Sequence, residues 1–152
     1  YYSVFRPIEI TRVRIGMLDL DNNVLWLPGD DAKNKKPLPV TLNNKIIEPI
    51  RRLIKGHDKS DYLISYGLKP GPIQINRKVI TDRFYKLREE LGIEFDIKLY
   101  SLKHTFNTKM AKSGANLYEL SKHNRHYDIR QTEEYINDLL DGANPNFIDT
   151  DF

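Results

Sequence analysis

Met17-Leu18-Asp19-Leu20, Val24-Leu25-Trp26-Leu27 and Leu38-Pro39-Val40-Thr41-Leu42 are short apolar runs, set apart by Asp21-Asn22-Asn23 and by the polar stretch Gly29-Asp30-Asp31-Ala32-Lys33-Asn34-Lys35-Lys36. Runs of strand length between clusters of Asn, Asp and Gly predict a three-stranded antiparallel meander. Its second turn carries three lysines. On either side of this stretch the apolar period is helical. Pro7 to Val13 reads as a short helix, with Pro7 suited to a first turn where its missing N–H costs nothing. Ile46, Ile47, Ile50, Leu53 and Ile54 recur at helical spacing up to Gly56, and Pro49 either kinks that helix or lies in its first turn. Asp61 to Tyr66 is a brief apolar run closed by the turn signal Lys69-Pro70-Gly71-Pro72.

Asn76 is a cap for a long amphipathic helix faced by Val79, Ile80, Phe84, Leu87 and Leu91 and stopped by Gly92. Leu102, Phe106 and Met110 stripe the next helix, which ends at Gly114. Asn116 caps a short one containing Leu117 and Leu120. A last helix starts near Asp128, with Ile129, Ile136, Leu139 and Leu140 as its apolar face and Gly142 and Pro145 as its stop. The expected fold class is therefore α+β: a mostly α-helical single domain with a small three-stranded antiparallel sheet near its N-terminus.

Composition narrows the chemistry. The chain has 152 residues, no cysteine, 39% hydrophobic and 30% charged residues. That is enough for one domain with a core, and it removes thiol catalysis and Cys-ligated zinc. No apolar stretch reaches the ~18 residues of a membrane span. An intracellular, cytoplasmic, metal-independent protein is the simplest reading. The chain opens on Tyr1 without a signal-peptide pattern, as expected of part of a longer protein. Asp138, Asp141, Asp149 and Asp151 lie in a tail without Lys or Arg, so residues 1–137 hold all 24 cations against 17 carboxylates, a formal +7. A basic body suits an anionic partner such as nucleic acid, although a solvated mixed-charge surface also explains it.

There is no Gly-rich phosphate loop, His-Glu-x-x-His or Gly-x-Ser-x-Gly motif, and His57, His104, His123 and His126 lack the carboxylate spacings of a metal site. What remains is a set of cations and tyrosines: Arg6, Lys33, Tyr100, Lys103, His126 and Tyr135. Each has a plain structural alternative. Arg6 can pair with Glu9 on one helix turn, and Lys33 can be a solvated charge. Lys103 can sit at the surface or touch a phosphate backbone. His126 can be a loop histidine, and Tyr135, next to Ile136, a half-buried core tyrosine.

Taken in order, these segments resemble the catalytic domain of the tyrosine recombinases, the phage integrase family. Arg6-Pro7-Ile8-Glu9-Ile10 is similar to that family's Arg-x-x-Glu-Ile segment. Ala32-Lys33-Asn34-Lys35-Lys36-Pro37 is similar to the turn of its catalytic-lysine hairpin. Tyr100-Ser101-Leu102-Lys103-His104-Thr105-Phe106 stands where the family has His-x-Leu-Arg-His-Thr-Phe, and His126, Thr132 and Tyr135 match the spacing of its Gly-His…Thr-x-x-Tyr ending. Lys103 replaces the second arginine, Tyr100 a histidine and Arg125 a glycine; Tyr-Ser-Leu-Lys-His-Thr resembles the divergent integrases of Bacteroidetes mobile elements.

The resemblance implies a DNA recombinase that integrates or excises a mobile element without a cofactor or metal. Tyr135 would attack a phosphodiester to give a 3′-phosphotyrosyl link and a 5′-hydroxyl, conserving the bond energy. Arg6 and Lys103 would neutralise the phosphorane with a hydrogen bond from His126, Lys33 would act as general acid, and Tyr100 would donate a hydrogen bond. It also implies double-stranded DNA as partner and a homo-oligomer, a tetramer on paired sites, in the full-length protein. Residues 1–140 would form the catalytic domain, lacking its first helices and the N-terminal core-binding domain. Residues 141–152 would form a tail that docks through Phe147, Ile148 and Phe152. A noncatalytic DNA-binding remnant and a type IB topoisomerase-like enzyme are the alternatives.

Overall fold

The computed structural model describes residues 5–29, 38–94, 96–126, 128–130 and 132–133. Its elements are α1 (Pro7–Ile10), β1 (Leu18–Asp19), β2 (Val24–Leu27), β3 (Leu38–Thr41), α2 (Asn44–Ile54), α3 (Arg77–Glu90), α4 (Ser101–Lys112) and α5 (Leu117–Asn124). By compactness the chain divides into two units, Tyr1–Leu102 and Lys103–Phe152. Among the described residues no helix is long and apolar enough to cross a membrane.

In the first unit the expected meander is present as an antiparallel sheet in the order β1-β2-β3, with Leu18 opposite Leu25 and Leu25 opposite Val40. Alternation explains its burial: Leu25 and Leu27 point inward and Trp26 outward, the period of two that a half-buried strand requires. Pro39 is tolerated because β3 is an edge strand, where a missing N–H breaks no inner ladder. Leu25, Leu27, Val40 and Leu42 form the core with Val13, Leu20, Ile47 and Leu63, and Ile46, Ile50 and Ile54 of α2 pack against it. Pro49 lies inside α2, beyond its first turn. Asn43 caps this helix by accepting the Lys45 N–H at 2.9 Å, and Arg51 ties it to the β1–β2 turn through Asp21 at 2.6 Å.

The helix expected over Pro7 to Val13 is shorter, ending at Ile10. Thr11 turns its hydroxyl back to the Ile8 carbonyl at 2.8 Å, and Val13 instead accepts the Leu63 N–H at 2.8 Å. The run from Asp61 to Tyr66 makes isolated antiparallel bridges rather than a strand, with Tyr62 opposite Arg14 and Gly71.

Helix α3 starts on Asn76, whose side chain accepts the Lys78 N–H at 2.9 Å. It is followed by Gly92 at φ +63°, a left-handed position that suits glycine. Its expected apolar face is not a buried one. Val79, Leu87 and Leu91 are exposed, and Ile80 and Phe84 only half-buried; α1, which packs against α3, is a single turn long.

Helix α4 departs further from expectation. Its buried residues are Lys103 and Asn107, whereas Leu102 and Phe106 are half-buried and Met110 is exposed. In the second unit Asn116 caps α5, accepting the Tyr118 N–H at 2.8 Å, and Leu120, Ser121 and Asn124 are the buried residues of that helix. A helical turn does start near Asp128, with the Thr132 and Glu133 N–H groups donating to the Ile129 carbonyl, but Ile129 itself is exposed. The expected face of Ile136, Leu139 and Leu140, and the stop at Gly142 and Pro145, lie outside the described residues.

Candidate active site

Arg6 is the residue that precedes α1. Glu9, in the first turn, accepts the Arg6 backbone N–H at 2.7 Å on one carboxylate oxygen and the Arg6 Nη1 at 2.9 Å on the other. The structural alternative for Arg6 is thus present, and it does not consume the residue. The Glu9 side chain is buried while that of Arg6 is 42% exposed, so the carboxylate aims a guanidinium that still reaches solvent.

What it reaches is a cleft of about 740 Å³ at the start of α3, walled by Arg6, Pro7 and Ile8 on one side and by Asn76, Arg77, Lys78 and Thr81 on the other. Tyr100 also lines it and is 44% exposed. The structure therefore brings together two of the sequence-predicted residues, Arg6 and Tyr100, and adds Arg77 and Lys78. Lys78 is paired with Asp82 at 2.6 Å and Arg6 with Glu9, so the lining offers an oxyanion Arg77, the exposed part of the Arg6 guanidinium, and hydrogen bonds from a phenol, a hydroxyl and an amide.

Lys103 and His126 belong to the second unit. Lys103 is 4% exposed, among the most buried cations of the described residues. Burial, and then the neighbouring Lys103 charge, hold His104 below the usual histidine pKa. His126 follows α5 through Arg125, which takes the left-handed conformation at φ 57° and ψ 40°. The Arg125 and His126 N–H groups close the helix end on the Lys122 and Ser121 carbonyls, both at 3.0 Å. The His126 ring is then oriented by Nδ1 lying 2.8 Å from the hydroxyl of the fully buried Thr132. Lys33 and Tyr135 lie outside the described residues.

Several contributors were not visible in sequence. Asn76 was legible as a cap but not as a cleft wall, and Arg77 and Lys78 look like ordinary cations of a first helical turn. Asn107 and Asn124 carry no motif at all. Among the described residues no group of three or more His, Asp or Glu is arranged to hold a metal ion.

The fold is that of recombinases and integrases. The crystal structure of XerA recombinase superposes with a TM-score of 0.74 at 17% identity, covering 95% of this chain and 51% of that one. The Tn1549 transposon integrase, solved in complex with a circular intermediate DNA, gives 0.67 at 17% identity over 88% of this chain and 50% of its own. The phage integrase family model matches residues 1–140, and the chain belongs to that family. Tyrosine recombinase XerA of Saccharolobus solfataricus is 27% identical over 145 residues, 94% of this chain and 45% of its own length. Tyrosine recombinase XerD of Lacticaseibacillus casei is 26% identical over 140 residues, 89% of this chain and 46% of its own. The chain thus spans a little under half the length of these curated relatives.

Proposed function

We propose that this chain is the catalytic part of a site-specific DNA recombinase that cleaves and rejoins strands through a 3′-phosphotyrosyl intermediate during integration or excision of a mobile element. The observation that carries the reading is the cation-lined cleft in which Arg6 and Tyr100 meet Arg77 and Lys78, in a chain of this family. In the reaction the Tyr135 hydroxyl gives up its proton to water and its oxygen attacks phosphorus, the bond from phosphorus to the 5′-oxygen breaks, and that oxygen takes a proton from Lys33. Charge gathering on the nonbridging oxygens is met by Arg6 and Lys103, with hydrogen bonds from His126 and Tyr100. The role requires Nδ1 of His126 to accept from the Thr132 hydroxyl, 2.8 Å away, so that the ring carries on Nε2 the proton that meets the phosphate.

Residues 1–140 act as the catalytic domain on double-stranded DNA in the cytoplasm. The acidic tail 141–152 docks on a neighbouring protomer of a tetramer assembled on paired sites. The Tn1549 integrase bound to DNA supports the choice of partner.

A nicked suicide substrate tests the reading. The full-length protein forms a covalent adduct with it in the presence of EDTA. Tyr135→Phe abolishes the adduct and leaves DNA binding nearly unchanged, since affinity comes mainly from phosphate contacts. An adduct that survives this substitution, or one that needs Mg²⁺, overturns the assignment.

A further inference from the structure

Asn107 of α4 and Asn124 of α5 form a reciprocal amide pair that none of the chemistry above employs. Asn107 Nδ2 donates to Asn124 Oδ1 at 3.0 Å, and Asn124 Nδ2 donates to Asn107 Oδ1 at 2.9 Å. Asn124 Nδ2 also donates to the Leu120 carbonyl at 2.9 Å, so its amide is anchored to its own helix as well as to α4. Both side chains are 0% exposed. Two apolar side chains would fill this volume with no polar groups to satisfy, so the pair is an expensive way to make a contact. What it adds is direction: paired hydrogen bonds fix the register of two helices, whereas apolar contacts tolerate slip.

The register in question is between two residues of the reaction. Asn107 lies one turn after Lys103 on the same buried face of α4. Asn124 is the last residue of α5, from which the chain turns through left-handed Arg125 into His126. Phe106 and His123, with ring centroids 5.1 Å apart, join the same two helices by a ring contact that holds them close. The amide pair is the directional link. We propose that Asn107 and Asn124 are positioning residues, which set the helix carrying Lys103 against the turn delivering His126. The proposal rests on the roles assigned above to those two residues.

The test uses the full-length protein and the variants Asn107→Leu, Asn124→Leu and their double. Each single variant leaves one buried amide without its reciprocal partner and melts at a lower temperature. The double variant removes both amides and recovers most of that loss. Positioning predicts that the double variant binds DNA with unchanged Kd, forms the tyrosyl adduct at least tenfold more slowly in single turnover, and shifts the ring-nitrogen NMR signals of His126 while those of His57 stay in place. Parental adduct formation together with parental His126 signals in a stably folded double variant overturns the proposal. If the double variant does not fold, Asn107→Ala, which leaves room for a water at the Asn124 amide, is read in the same way. A parental protein that forms no adduct counts against the proposed function, and the His126 signals still decide on the pair.

Discussion

Glu9→Gln separates the helix-holding role of the Arg6–Glu9 pair from its role in the reaction. The carboxylate accepts two donors on two oxygens, the Arg6 N–H at 2.7 Å and its Nη1 at 2.9 Å. Glutamine keeps the shape but has one acceptor oxygen, and its amide group turns N–H toward a donor. One charge-assisted hydrogen bond is lost, about 1.5–3 kcal/mol for a buried acceptor. The 42% exposure of the Arg6 side chain lets water take over part of the guanidinium's solvation, which brings the expected cost to the lower end, about 1.5 kcal/mol. For a chain of this size that lowers Tm by roughly 3–6 °C in thermal denaturation. The guanidinium also loses the partner that aims it, and single-turnover adduct formation falls about tenfold or more, since small displacements of a positioned cation are costly. An unchanged Tm refutes the energetic argument. A lowered Tm with parental cleavage leaves Glu9 as a helix anchor that has no part in aiming Arg6.

Three further outcomes are expected. Lys103→Ala loses adduct formation by about 10² or more, the scale of one preorganised oxyanion donor, and parental single-turnover cleavage would remove Lys103 from the mechanism. Arg125→Gly relieves a left-handed conformation that costs a side-chain-bearing residue roughly 1 kcal/mol; it raises Tm by a few degrees by calorimetry, and a fall in Tm would mean the Arg125 side chain contributes more than its backbone costs. His104, held below its usual pKa by burial and Lys103, stays neutral in the folded chain while the unfolded chain takes up a proton. Stability is therefore complete above the unfolded histidine pKa and declines as pH falls through it; urea titrations show His104→Gln flattening that decline, and an unaltered slope contradicts it.

The small sheet was legible because strand alternation and turn residues act locally: Leu25 and Leu27 inward with Trp26 outward is a pattern five residues can carry. The caps Asn76 and Asn116 were legible for the same reason. Helix α4 was misread because Leu102, Phe106 and Met110 look like a core stripe. The face that is buried carries Lys103 and Asn107, and Asn107 exchanges hydrogen bonds with Asn124, seventeen residues away. No local pattern encodes a partner at that distance. The cleft was half legible. Arg6 and Tyr100 stood in recognisable motifs, but Arg77 and Lys78 have no signature and become part of the site only when the chain folds α1 against α3.

The asparagine caps differ in what they tolerate. Aspartate starts a helix as well as asparagine does and gains from the helix dipole. At Asn43 and Asn116, exchange of the amide for a carboxylate, as in Asn→Asp, would therefore leave the helix starts sound. Asn76 is different, because it also lines the cleft with Arg6, Arg77 and Lys78. Asn76→Asp would keep α3 capped and the melting curve intact, while setting a negative charge among the cations of the cleft. At that position a single carboxylate in place of an amide would be silent to every measure of folding and felt only as weakened attraction for an anion.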